Sequence, residues 1–185
     1  FGSFDVITAN NVFAHNRDLN KFIQNMSYLL KEDGLISIEV QYLPKLISNC
    51  YIDMIYHEHT SYHHFKPLNK LFKESGLTLN SVSDIPTHGG SMRIILNNSS
   101  DNMILFENKD KTKNFLKSDD IFDKKILNKF KILKLKVQKI KLSLNKLIRL
   151  LTEKYPLIYG YSAPAKTVTL LSLLDKDNIN NIQFI

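Results

Sequence analysis

The sequence has 185 residues, 43% of them hydrophobic, which is enough apolar mass for a core and excludes a wholly disordered chain. Its net charge of +7 is concentrated, because fifteen of the 25 Lys and Arg fall between Glu107 and Lys154; that excludes a basic field over the whole surface of the kind that attracts nucleic acid. A single cysteine, Cys50, excludes an internal disulfide and a multi-cysteine zinc site, no apolar run approaches the roughly 20 residues of a bilayer span, and a reducing cytoplasm is the expected location.

Residues 4–9, FDVITA, predict a buried strand that breaks into a loop at Asn10-Asn11. Leu19, Phe22, Ile23, Met26, Leu29 and Leu30 then recur at three- and four-residue spacing. That spacing predicts one face of a helix, with Asp33-Gly34 as its stop. LISIEV, residues 35–40, predicts a second strand with Glu39 near its exit. Strand, helix and strand with short joints make the unit of a parallel sheet. In open sheets of this type ligands sit beyond the carboxyl ends of the strands, here Ala9–His15 and Glu39–Leu43.

IYHEHTSYHHF, residues 55–65, comes next. Four histidines, a glutamate and two tyrosines in eleven positions leave three readings open. The stretch is a polar loop in solvent, or a metal site built on His57, His59 and His63 or His64, or a proton-transfer site. For the last, Tyr56, Glu58 and His59 supply a phenol, a carboxylate and an imidazole within four residues.

KPLNKLFKESG, residues 66–76, predicts a short helix with Pro67 in its first turn and Gly76 as its stop. LTLNSVSDI and SMRIILNN alternate as strands and predict an antiparallel pair. Between them PTHGGS carries two adjacent glycines. Gly89 and Gly90 let a ligand approach the backbone closely; His88, Ser91 and Arg93 add donors suited to a phosphate or a sugar. An ordinary turn is the other reading.

Residues 99–119 are polar and lysine-rich and predict a linker. From Ile126 through Phe130, Leu133, Val137, Ile140, Leu144 and Leu147 to Leu151 the spacing alternates between four and three, a heptad stripe. It predicts a long helix stopped at Tyr155-Pro156, whose segment 120–154 offers a stripe for self-association. Solvated lysines on its other faces are the expected reading, and neither nucleic acid nor membrane is the expected partner. Electrostatic binding to nucleic acid or anionic lipid is the alternative, without the aromatic interleaving that base stacking would need. The remainder, 155–185, predicts the start of a second α/β unit. Its GYSAPAK turn, residues 160–166, leads into a helix start where Lys166 adds charge for an anion; a plain tight turn is the alternative. Strands at both ends of the sequence lead us to expect a fragment.

The order of ANNVFAHNRDLNKFIQNMSYLLKEDGLISIEV, IYHEHTSYHHF, PTHGGSMR and GYSAPAK resembles the C-methyltransferases that act on nucleotide-linked keto-sugars. The resemblance covers nearly the whole chain. It implies an α/β fold: residues 1–98 as the C-terminal part of a Rossmann-like, class I S-adenosylmethionine-dependent methyltransferase domain, 99–154 as linker and long connecting helix, and 155–185 as the start of a second Rossmann-like domain. It implies a zinc site only in an N-terminal piece that this sequence lacks, along with the glycine-rich turn that grips the methionine end of the cofactor. The enzyme is therefore expected to be the full-length protein.

The resemblance also implies roles. His59 is the base that removes the hydrogen beside a ketone, and Tyr56 and Glu58 orient it or bind the sugar. His15 stabilises the resulting enolate. Asn10 and Asn11 meet S-adenosylmethionine. His88, Gly89, Gly90, Ser91, Arg93 and Lys166 hold sugar or diphosphate. An O- or N-methyltransferase of the same fold, and a non-catalytic assembly piece with a heptad helix, remain the alternatives.

Overall fold

The computed structural model describes residues 3–98, 109–155, 157–161 and 164–184. The expected linker at 99–108, the stop at Pro156, and Ser162 and Ala163 of the GYSAPAK turn lie outside them. Packing divides the chain into two units, Phe1–Leu46 with Glu58–Ile126, and Ile47–His57 with Leu127–Ile185.

The first unit is built on a four-stranded sheet. Strand β1 is Phe4–Asn10 and β2 is Leu30–Gln41, with helix α1, Leu19–Leu29, between them. β1 and β2 run parallel, Ala9 opposite Ile38 and Asn10 opposite Glu39, as the strand–helix–strand pattern predicts. Helix α2, Leu43–Asn49, and helix α3, Phe65–Glu74, precede β3, Thr78–Ile85, and β4, Ser91–Asn97. The sheet order is β1-β2-β4-β3. β4 thus inserts between β2 and β3 and runs antiparallel to both.

Alternation explains the core. Ile36, Ile38 and Val40 of β2 meet Met92, Ile94 and Leu96 of β4, with Phe13, Ile23, Phe65, Phe72 and Val82 around them, and all are buried. At roughly 1.5–3 kcal/mol for each large apolar side chain removed from water, this cluster is the main stabilising element of the unit. α1 is capped by Asp18, whose carboxylate accepts from the Lys21 N–H at 3.0 Å. α3 carries Pro67 in its first turn, and Gly76 comes after it at φ +76°, the left-handed conformation that a helix stop requires.

Three expectations are corrected. α1 ends at Leu29, and Leu30 is already extended at φ −85°, ψ 137°. Leu30 is buried and pairs with Phe4 in β2, so Asp33-Gly34 lies inside a strand irregularity. Gly34 is needed there for space, since a Cβ would meet Leu30 Cδ1 at 2.8 Å and the Phe4 carbonyl at 3.0 Å. β1 is an edge strand among the described residues, and Phe4 and Val6 are exposed; Ala9 alone of its residues is buried. Finally, residues 109–119 are helical. Helix α4 is Lys109–Lys154, 46 residues, and Phe115 and Leu116 of its first turns pack on the core of the first unit.

In the second unit the heptad stripe is only partly covered. Leu133 is buried, whereas Phe130 and Leu147 are exposed. Asn145 of α4 anchors the segment between the last two strands: its Nδ2 donates to the Leu173 carbonyl at 2.8 Å, and its Oδ1 accepts from Asp175 N at 2.7 Å and Asn178 Nδ2 at 2.6 Å. Strand β5, Ile158–Gly160, pairs in parallel with β6, Ile182–Phe184. Helix α5, Ala165–Leu171, and helix α6, Lys176–Asn180, connect them. No helix of the described residues is long and apolar enough to cross a membrane.

Candidate active site

The chain leaves β1 through Asn11, which holds φ +55°, a left-handed conformation that asparagine tolerates. Its N–H donates to the Glu39 carbonyl at 2.8 Å. A short turn, Phe13–His15, comes next. Phe13 and Ala14 are buried and anchor it, and His15 projects from its end with partial exposure.

The loop carrying Glu58 and His59 is fastened to that turn through Thr60. Thr60 N donates to the Ala14 carbonyl at 2.7 Å, and Thr60 Oγ1 donates to the same oxygen at 3.0 Å. The fastening brings the two imidazoles together. The rings of His15 and His59 lie edge to face with centroids 5.0 Å apart. Glu58 Oε2 is 3.9 Å from His15 Nδ1, and the Tyr62 ring centroid is 6.0 Å from that of His59. Beside them an open groove of about 540 Å³ is lined by Asn16, Arg17, Asp18, Thr60 and Ser61, among others.

Burial separates the other histidines of the cluster from this pair. His63 is buried, its Nε2 3.0 Å from Ser61 Oγ. Burial pushes its pKa down to about 4, and the neighbouring His64 pushes the same way. His64 Nδ1 sits 3.1 Å from Asp119 Oδ2. These two rings belong to the framework. Tyr56 and His57 fall in the second unit, with ring centroids 6.2 Å apart. Among the described residues no group of three His, Cys, Asp or Glu side chains is placed to hold a metal ion.

Glu39 organises the strand ends. It is buried, yet its Oε1 accepts from Thr87 Oγ1 at 2.7 Å and from Asn11 Nδ2 at 3.5 Å, and its Oε2 accepts from Arg93 Nη2 at 3.0 Å. Burial alone would raise its pKa; the three donors together more than offset that and hold it below the usual value. Asn11 Oδ1, by contrast, is buried and meets no donor among the described residues.

The glycine turn is a framework for these contacts. Thr87–Gly89 forms one tight turn, with His88 at φ +50°, Gly89 at +81° and Gly90 at +120°. His88 is exposed at its tip. Gly90 accepts from Tyr42 N at 3.2 Å. Ser91 is buried, and its hydroxyl donates to the Thr87 carbonyl at 3.0 Å, inside the turn. Arg93 faces Glu39. Lys166 stands in the second unit, its Nζ 3.7 Å from Asp53 Oδ2. Sequence reading singled out neither Thr60 nor Glu39 as a site residue. A lone carboxylate in the apolar run LISIEV was the available signal for Glu39.

Residues 1–82 match the methyltransferase domain family, and residues 86–183 match the C-methyltransferase C-terminal domain family. Over 80 residues, 43% of this chain, the sequence is 41% identical to C-methyltransferase NovU of Streptomyces niveus. That stretch is 19% of NovU, so the chain spans a minor part of the relative it matches. Two solved structures share some of the course of the chain. One is magnesium protoporphyrin IX methyltransferase from Synechocystis PCC 6803 with bound SAH, 14% identical, TM-score 0.42, covering 54% of this chain and 47% of that one. The other is LepI in complex with SAM, 12% identical, TM-score 0.41, covering 52% and 26%.

Proposed function

The chain belongs to the C-methyltransferase C-terminal domain family, and on that premise we propose that it is part of an S-adenosylmethionine-dependent enzyme that methylates a carbon of a nucleotide-linked keto-sugar. One observation carries the reading: His15 and His59 are held edge to face, 5.0 Å apart, beside the carboxyl ends of parallel strands β1 and β2, where ligands of such sheets sit. S-adenosylmethionine, when bound, supplies an electrophilic methyl group on a positively charged sulfur. Asn10 and Asn11 are the residues of this chain that would hold it. The buried, unpartnered Oδ1 of Asn11 fits a hydrogen-bond donor of that cofactor.

Carbon becomes a nucleophile only when a C–H bond is broken heterolytically. A ketone acidifies the hydrogen on the neighbouring carbon. In this reading an imidazole nitrogen of His59 takes that hydrogen as a proton, and the electron pair stays on the substrate as an enolate. A base with a near-neutral pKa suits the task. An N–H of His15 donates to the enolate oxygen as charge builds there. The Glu58 carboxylate, 3.9 Å from His15 Nδ1, is placed to orient that ring as an acceptor for one of its nitrogens. The groove lined by Asn16, Arg17, Thr60 and Ser61 offers amide, guanidinium and hydroxyl groups suited to a sugar and its phosphates.

Hydrogen exchange tests this. With S-adenosylhomocysteine bound no methyl can move, so the full-length protein in heavy water should wash deuterium into the carbon beside the ketone of a nucleotide-linked keto-sugar. His59→Asn should slow that exchange by roughly 10²–10⁴-fold, the range of a lost general base. Exchange at the native rate in the variant would remove His59 from the role. A native enzyme that methylates without any exchange would point to oxygen or nitrogen as the acceptor.

A further inference from the structure

We infer that Glu39 is a positioning residue that fixes which hydrogen-bonding face Asn11 turns toward the cofactor. The inference rests on the methyltransferase reading above and adds a residue that reading does not use.

An asparagine amide has a donor end and an acceptor end, and its neighbours decide which points where. The neighbour here is a carboxylate, which only accepts. Asn11 Nδ2 must therefore face Glu39 Oε1, as it does at 3.5 Å. Oδ1 is then turned the other way, where it is buried with no donor among the described residues. Backbone rotation gives no escape, because Asn11 N is tied to the Glu39 carbonyl at 2.8 Å. Glu39 is itself fixed by Thr87 at 2.7 Å and Arg93 at 3.0 Å. The turn before β4 and the loop after β1 thus meet on one carboxylate. Its position sets the acceptor that a donor of S-adenosylmethionine would fill.

Replacing Glu39 by glutamine keeps the shape and reverses this logic. The glutamine oxygen stays with the Arg93 cation, the stronger partner. Its NH₂ then falls toward Asn11, donor against donor. The Asn11 amide turns over, and an N–H replaces the acceptor that faced the cofactor. The outcome is a buried donor opposed to a donor, worth about 10- to 100-fold in affinity.

The test is a double-mutant cycle on the full-length protein, read by calorimetric binding of S-adenosylhomocysteine, with thermal melting to confirm folding. Glu39→Gln should weaken binding about 10- to 100-fold in the native background. In the Asn11→Ala background it should change binding by less than about twofold, because the amide it acts through is gone. Equal losses in both backgrounds would show that Glu39 acts on the fold at large and would overturn the inference. Asn11→Ala alone touches neither Thr87 nor Arg93, so unchanged binding in that variant would overturn it too, whatever Glu39→Gln does to folding. A native protein that binds no S-adenosylhomocysteine overturns this inference and the methyltransferase reading together; native binding with indifferent variants overturns this inference alone.

Discussion

The phenol of Tyr42 donates to Asp119 Oδ1 at 2.6 Å, with both groups buried. The bond ties the residue after β2 to helix α4. Asp119 Oδ2 also accepts from Lys66 N at 2.6 Å and lies 3.1 Å from His64 Nδ1. A carboxylate from α4 therefore caps the start of α3, where His64 makes no side-chain cap of its own. Burial, and after it the Asp119 bond, pushes the Tyr42 pKa well above the usual phenol value, so Tyr42 remains a donor at working pH. Asp119→Ala strands three buried or half-buried donors at once and should cost about 3–5 kcal/mol. Tyr42→Phe leaves Asp119 its other partners and should cost about 1.5 kcal/mol. Urea denaturation of the two variants measures the difference; equal costs would mean that Asp119 caps nothing.

The glycine turn makes a second prediction. Gly90 holds φ +120°, and a Cβ there would meet Lys45 Cδ at 2.5 Å. Lys45 Cβ would also lie 3.1 Å away, and moving the side chain aside would disturb the pair its ammonium makes with Asp84. Gly90→Ala should cost about 1–3 kcal/mol. Gly76 is the control: at φ +76° it has nothing within 4 Å of an added Cβ, so Gly76→Ala carries only the backbone penalty, about 1 kcal/mol. Lys45→Ala should recover part of the Gly90→Ala loss and none of the Gly76→Ala loss. Denaturant midpoints across this set decide it, and a Gly90→Ala loss that ignores Lys45 would place the whole penalty in the backbone.

Local signals in the sequence were legible where local forces decide. Pro67 and Gly76 bracket α3 because a fixed φ and a left-handed residue act within one turn. The alternation of β3 and β4 reads directly because each strand buries one face. Long-range contacts were not legible. Asp33-Gly34 is a fair helix stop by composition, yet Leu30 pairs with Phe4 and draws the chain into β2 first. Residues 109–119 look like a linker until Phe115 packs on Tyr42 and Phe65, with ring centroids 5.4 and 5.7 Å away. In the cluster at 55–65 residue types could not sort the histidines, since only burial sets His63 apart from His59. Glu39 draws Thr87 and Arg93 from 48 and 54 residues away. That contact crosses from the stretch matched by one family to that matched by the other, and it depends on β4 lying next to β2, which spacing along the chain does not encode.

His63 makes the stability of the first unit depend on pH. Its pKa falls from 6.5 to about 4 on folding, first by burial and second by the charge of His64. The unfolded chain then binds the proton more readily than the folded one between those values. Stability should be full above pH 6.5 and fall as pH drops toward about 4, by up to about 3 kcal/mol from this group. His63→Gln keeps a polar partner for Ser61 and removes the titration. Plotted against pH, the unfolding free energy of that variant should be flatter than that of the native protein between 6.5 and 4. Parallel curves would assign the slope to other groups.

Arg93 allows the sign of a pH effect to be reversed. In the native protein burial raises the Glu39 pKa, and hydrogen bonds from Thr87, Arg93 and Asn11, with the Arg93 charge, bring it below the ordinary carboxylate value. Glu39 therefore stabilises the fold at neutral pH, and that contribution is lost as pH falls through its lowered pKa. Arg93→Met removes a charged donor and leaves burial in place. The Glu39 pKa should rise past its unfolded value, and the ionised group should then oppose folding near neutrality. The variant should be less stable by about 1–3 kcal/mol at pH 7, a figure kept modest because Arg93 is half exposed. As pH falls, the native protein loses the Glu39 contribution while the variant protonates Glu39 and regains stability. The gap between the two unfolding curves should therefore narrow on acidification. A constant gap from pH 7 to pH 4 would mean that Arg93 stabilises the fold by packing, and that Thr87 and Asn11 alone suffice to keep the Glu39 carboxylate ionised.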